Sequence, residues 1–359
     1  MKKVLMSTAA VLALAIAAPA MAQEESGLKL DLGGHFKGYG VYVDQDENAG
    51  ENARSMDIVR DTEVHFTGET TLDNGLTVGA HIEADADQND GFTVDESYAY
   101  FSGAWGRVNF GAEDGAAFLM QVAAPSADSN YDGIRQEVSG FNYDVLAAGQ
   151  TTALNGEMDY DQDVSGKSDK LTYLSPVFGG FQAGVSYTPQ INDDSRDLGV
   201  ADEASTDREV WDLAGRYEGN MGGVDVVVGA GYTFAPVKTE TTSIKDREAY
   251  NAGIDLGMGA FGLGAVYMND DQGTADDEVE TIVVGADYTT GPFTLGASYM
   301  NQDDTTATDV DTDRYTGGVT YAYGPGMSFR GSVSYVDHEI DGLDDVSGTA
   351  IMLGTQVNF

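Results

Sequence analysis

The stretch "AIMLGTQVNF", Ala350 to Phe359, puts Ile351, Leu353, Val357 and Phe359 on one parity and mostly small or polar residues on the other. Alternation at period 2 marks a strand with one dry face. In a soluble sheet this row would be an exposed apolar edge on a chain of formal net charge -42. As the last strand of a closed ring, its apolar row would face lipid. Its backbone would pair with the first strand, "LKLDLGGHFKGYG" (28–40), leaving no edge. Phe359 would then close the barrel near a membrane interface, where aromatic rings are favoured.

The same alternation recurs upstream. Five strands are predicted before residue 113: 28–43, 61–72, 76–86, 93–103 and 107–113. Eleven follow: 168–176, 181–190, 208–219, 224–234, 247–257, 261–270, 278–289, 292–301, 312–323, 327–338 and 347–359. Tight turns such as "DNG" (73–75), "FGG" (178–180) and "YGPG" (323–326) alternate with long acidic loops such as "NQDDTTATDVD" (301–311). An even number of short strands with turns of unequal length at the two ends describes an all-β, antiparallel, up-and-down transmembrane barrel of sixteen strands. A soluble sandwich is the competing architecture, but the second face here carries Gly, Ala, Thr, Asp, Lys and His rather than another core.

Residues 1–22 read as a cleaved signal peptide: "MKK", an apolar run from Val4 to Ala18, then "APAMAQ" with a small-x-small pattern ending at Ala22. Residues 23–359 form the barrel domain. Without Lys2 and Lys3 the charge is two units more negative, which repels nucleic acid and favours cations. Cysteine is absent, so no disulfide staples the fold.

The segment of about 112–166 has no strong alternation and far exceeds the other joins. Connections longer than about 15 residues are usually functional or disordered. Phe118, Leu119, Met120 and Val122 would anchor it to a wall; the alternative is that "SGFNYDVLAAG" (139–149) hides a strand. Inward parity on the wall collects Lys29, His35, Lys37, Glu63, His65, Glu69, His81, Glu83, Arg216, Arg314 and Arg330.

The motifs "GHFKGYG" (34–40), "HFTGETTLDNGLTVGAHIE" (65–83) and "YAYFSGAWGRVNFGAED" (98–114), with a final strand ending in Phe, resemble the general porins of Gram-negative bacteria, most closely those of alphaproteobacteria. The resemblance implies a homotrimeric channel in the outer membrane, among lipid and lipopolysaccharide, passing ions and small hydrophilic solutes. It also implies a third loop folded into the lumen, with Glu113, Asp114, Asp128 and Asp132 facing a basic wall. The chain departs from enterobacterial porins where Glu63 and Ala112 stand at positions that often carry Arg. A moderate cation preference is therefore expected. A substrate-selective channel, with eighteen strands, and a secreted acidic calcium-binding adhesive protein are the alternatives.

No enzyme is expected, because G-x-S-x-G, H-E-x-x-H and G-x-x-x-x-G-K patterns are absent and the chain has four histidines. No cofactor is required. His35, His65 and His81 share inward parity on neighbouring strands and offer a metal site. "DADQNDGFTVDE" (85–96) puts Asp85, Asp87, Asn89 and Glu96 at calcium-loop positions 1, 3, 5 and 12, although Asp90 replaces the glycine required at position 6.

Overall fold

The computed structural model describes residues 27–47, 52–88, 91–146, 158–191, 209–237, 244–274, 277–306 and 309–359. The signal-peptide expectation lies outside them. Among the described residues no helix is long and apolar enough to cross a membrane.

Sixteen strands run in chain order: β1 Lys29–Gln45, β2 Met56–Thr71, β3 Thr77–Gln88, β4 Gly91–Gly103, β5 Gly106–Ala112 and β6 Asp169–Leu174. Next come β7 Phe181–Thr188, β8 Val210–Met221, β9 Val224–Ala235, β10 Arg247–Met258 and β11 Phe261–Asp270. β12 Val279–Thr290, β13 Phe293–Asp304, β14 Val310–Gly324, β15 Met327–Ile340 and β16 Val346–Asn358 complete the ring. Each strand pairs with its sequence neighbours, and β16 returns to β1, so the sheet is a closed barrel. The seam is antiparallel, running from His35 opposite Asn358 to Gln45 opposite Gly348. Phe359 extends it through two backbone hydrogen bonds with Gly34, each 3.1 Å. Closure satisfies backbone groups that would otherwise be stranded in hydrocarbon.

The final strand shows how sequence becomes surface. Ile351 and Leu353 are 40% and 68% exposed on the outside, whereas Met352 between them is 1% exposed on the inside. Leu30, Leu32, Phe110, Phe181, Leu213 and Leu263 continue the exposed outer belt. Aromatic pairs border it at both rims. Toward the tight turns lie Phe181–Tyr217, Phe261–Tyr288 and Phe293–Tyr321. Toward the long loops lie Tyr187–Trp211, Tyr250–Tyr267 and Tyr299–Tyr315. From Phe181 to Tyr187 the strand advances about 20 Å along its own axis, roughly 14–16 Å of height at a tilt of about 35–45°, within the ~25 Å apolar band of an outer-membrane barrel.

The 139–149 segment holds no strand among its described residues; Tyr143–Leu146 is a short helix, α3. It belongs to a long insertion that includes α1 Ala116–Leu119 and α2 Ser129–Asp132.

Candidate functional site

The insertion between β5 and β6 lies inside the barrel. At its start α1 packs against β6 to β9. A β-carbon added at Gly184 on β7 would come within 3.0 Å of the Met120 sulfur, and one at Gly229 on β9 within 2.8 Å of Val122. Farther round, Pro125 lies over Gly264 on β11 and Gly285 on β12, and Ala127 lies over Gly296 on β13. The chain then reaches β16 and β1: Asn130 donates to Gln356 at 3.2 Å, and Tyr39 donates to Asp128 at 3.0 Å. Glycine at these inward positions lets loop backbone and wall backbone approach more closely than any side chain permits.

This glycine trail was missed at the sequence level, although a signal exists. "VVGAGY" (227–232), "LGAVY" (263–267), "VVGADY" (283–288) and "LGASY" (295–299) repeat a Gly-Ala pair in the same place on four strands.

The loop creates a dry core on what would otherwise be a wet inner face. Phe118, Tyr131, Met158 and Tyr160 from the loop pack in one cluster with Val266, Val283, Met300 and Met352 of the wall. Full burial of such side chains contributes about 1.5–3 kcal/mol each. The anchors Phe118, Met120 and Val122 are buried as their composition suggested, and Leu119 packs at the edge of the cluster.

Burial also decides where the expected loop carboxylates lie. Glu113, Asp114, Asp128 and Asp132 do not edge the lumen; all four are buried between loop and wall. Glu113 accepts from the Asn109 amide at 2.6 and 2.8 Å, and Lys170 donates to the Glu113 carbonyl. Asp114 receives both terminal nitrogens of Arg135, at 3.0 and 2.8 Å. Asp128 accepts from Arg330 at 2.8 Å, and Asp132 from the Ser298 hydroxyl at 2.7 Å. These acids fasten the loop, and fastening requires that they turn away from water.

Arg135 is the centre of the fastening. It also donates to Asp161 at 2.7 Å and Asp163 at 2.6 Å, and its guanidinium stacks over the Phe118 ring at 4.0 Å. Burial pushes the Asp114 carboxyl up, but the Arg135 and Lys167 charges outweigh it and hold it below the usual carboxylate range. Where compensation is weaker, burial wins: Glu113 is pushed up to about 7, Asp163 to about 7 and Asp132 to about 6.

The wall arginines are drawn into the same contact. Arg314 is 1% exposed and donates to the Met158 carbonyl at 3.1 Å, so it is not on the pore wall as expected. Arg216 donates to the Gln121 carbonyl at 2.9 Å and to Glu218 at 2.6 Å. Lys37, also buried, pairs with Asp61 at 2.7 Å.

Arg216 keeps 19% of its side chain exposed, and a ladder on β1 to β3 remains accessible to a similar degree. His35 stands opposite Glu63, His65 opposite Glu83, and Thr67 opposite His81. The ring centroids of His35 and His65 are 6.0 Å apart, and those of His65 and His81 are 5.8 Å apart. Their side chains are 15%, 30% and 15% exposed, with Glu63 and Glu83 each at 16%. Accessible acids therefore stand on the wall side, where a basic half was expected. On the loop side, Glu137 is 42% exposed.

The calcium-loop reading does not match the geometry. Glu96 lies in β4, buried, and accepts from Lys167 at 2.7 Å, while Asp85 is paired in β3 opposite Thr93. Asn89 and the Asp87 side chain lie outside the described residues. A hairpin of two long strands, with no glycine at the sixth position, replaces the curled loop that would bring four such ligands round one ion.

A sixteen-stranded closed barrel with an apolar belt, two aromatic rims and an infolded loop after β5 is matched by a family model described as Gram-negative porin, over residues 8–341. The chain belongs to the Gram-negative porin family. It is an outer-membrane β-barrel. A monosaccharide porin from Halomonas sp. is 29% identical over 197 residues, covering 52% of this chain and 49% of that protein; the chain thus spans about half of the relative's length. The anion-selective porin from Comamonas acidovorans has a TM-score of 0.64 and 17% identity, with 93% of this chain and 100% of that chain covered. A Vibrio cholerae outer membrane protein, solved in a trimer form, gives 0.60 and 14%, covering 92% and 99%. At these identities the two structures establish the porin fold.

Proposed function

We propose that this porin forms a water-filled channel for passive diffusion of ions and small hydrophilic solutes, with a moderate preference for cations. One observation carries the preference: Glu63 and Glu83 stay partly accessible on the β1–β3 wall, while Arg314 and Arg330 are committed beneath the loop. Charges act on passing ions only within about a Debye length, roughly 8 Å at 0.15 M salt, so those lining the open wall count most. The Comamonas neighbour is named as anion-selective, and a fold shared at 17% identity does not carry that selectivity to this chain.

A homotrimer is part of the proposal, supported by the trimer form of the Vibrio cholerae neighbour. Outer-membrane lipid would meet the apolar belt. Loop acids such as Asp341, Asp344 and Asp345 would meet lipopolysaccharide phosphates, with calcium bridging the two. The name of the Halomonas relative favours a second reading, a channel with affinity for monosaccharides.

Insertion of the purified protein into planar bilayers tests both readings. Stepwise ohmic conductance with a reversal potential of potassium-over-chloride sign is expected at low salt. A chloride sign rejects the cation preference, and concentration-dependent block by a monosaccharide selects the second reading.

A further inference from the structure

We propose that the histidine ladder on β1 to β3 is a binding site for one divalent transition-metal ion, with zinc the best fit. Two ligand sets overlap in it, His35–Glu63–His65 and His65–His81–Glu83. In each set the ligand atoms lie within 4.8 Å of one another. Ligands round a tetrahedral zinc at 2.0–2.1 Å sit roughly 3.3–3.5 Å apart. The Glu63 oxygen is already 2.9 Å from His65 Nε2 and 3.4 Å from His35 Nδ1. The Glu83 oxygen is 2.7 Å from His81 Nε2 and 3.8 Å from His65 Nδ1. Small rotations of accessible side chains would complete either set.

A second observation concerns the nitrogens turned away from the ion. Asp61 lies 2.8 Å from His35 Nε2, and an ionised carboxylate only accepts, so Nε2 donates to it and Nδ1 is the nitrogen turned toward Glu63. Thr67 Oγ1 lies 2.7 Å from His81 Nδ1 and holds that ring with Nε2 toward Glu83. Such partners orient metal-ligating imidazoles and raise their basicity. His65 faces Glu63 with one nitrogen and Glu83 with the other, so whichever set it serves, the unused nitrogen keeps a carboxylate acceptor. Because both sets need His65, one ion per chain is the limit.

Two imidazoles and one carboxylate favour zinc, nickel or copper over magnesium and calcium, which prefer all-oxygen shells. The open fourth position faces solvent and would hold water. The fourth histidine, His338, takes no part; it is 1% exposed and packs against Tyr143.

The site goes beyond the channel reading, and its binding does not depend on that reading. Only the electrical consequence does: a bound ion adds two positive charges to the acidic wall, so cation current falls. The test is titration of the chelator-stripped protein in detergent with zinc chloride at neutral pH, followed by single-channel recording with and without zinc. One zinc per chain is expected, undiminished by equimolar calcium or magnesium. His65→Ala should weaken it at least about tenfold, and the double variant His35→Gln/His81→Gln should do the same while keeping the shared ring. Asp73→Asn, in an exposed turn, should leave it unchanged. Zinc displaced equally by calcium, or bound as tightly by both histidine variants, overturns the site. Zinc binding by a protein that forms no channels upholds the site and rejects the channel reading; channels from a protein that binds no zinc do the reverse.

Discussion

Two arcs of the inner wall are built from the same kind of strand and meet different fates. From β7 to β13 many inward positions carry glycine, valine or methionine, interleaved with buried polar groups such as Asp212 and Asn251, and the loop lies on them. Along β1 to β3 they carry histidine and carboxylate in alternating rungs that remain accessible. Residue size at the inward position separates the two, because a glycine admits loop backbone and a histidine excludes it. The charges follow: acids on the covered arc become internal fasteners, while acids on the open arc are left to act on whatever passes.

The largest expected effect breaks the covered arc at its fastening. Arg135→Ala strands Asp114, Asp161 and Asp163 without their main cation. Of the network only Asp114 is buried, so the cost should fall short of the ~3–5 kcal/mol of a fully buried pair. Limited proteolysis should cut within the loop of the folded variant and not of the parent, and single-channel conductance should rise. An equally protected loop would show that the apolar contacts suffice alone.

A smaller effect is expected beneath Pro125. Gly285→Val places a side chain where Pro125 already sits, and overpacking of this kind costs about 1–3 kcal/mol. Gly317→Ala is the matched control, since its nearest new contact would be 3.9 Å away. Thermal unfolding that shifts equally in both variants would remove close approach as the reason for the glycine trail.

The pH dependence is subtler. Glu113 and Asp163, raised to about 7, and Asp132, raised to about 6, bind protons more readily when the loop is docked. Their contribution is full below the ordinary carboxylate pKa and is lost as pH rises through 6 to 7. Asp114, held low, contributes above its ordinary value and loses that contribution as pH falls below about 4. Loop protection against hydrogen exchange, corrected for intrinsic rates, should therefore rise from pH 8 to pH 5 and fall again below about 4. A monotonic rise with pH would contradict the assignment.

The barrel was legible in the sequence because lipid outside and water inside impose a strict period of 2, and all sixteen strands lie close to where alternation placed them. The covered arc was not. Once the loop packs against it, inward Val266, Val283 and Met300 become core, and parity no longer tells lumen from interior. The same blindness misplaced Glu113, Asp114, Asp128 and Asp132: a carboxylate in a long loop reads as solvated until the cation that buries it is known. Asp114 and Arg135 lie 21 residues apart, and Asp128 and Arg330 lie 202 apart, so no local pattern could pair them. On β1 to β3, by contrast, shared parity alone brought His35, His65 and His81 together.

The contrast between the arcs is tested most directly by the reversal potential under a potassium chloride gradient at low salt, compared between two double variants. Neutralising the open arc with Glu63→Gln/Glu83→Gln should move selectivity toward chloride. Neutralising the covered arc with Glu113→Gln/Asp132→Asn should leave it nearly where the parent stands, because those groups are buried beneath the loop. Selectivity that follows the covered pair and ignores the open pair would contradict the account.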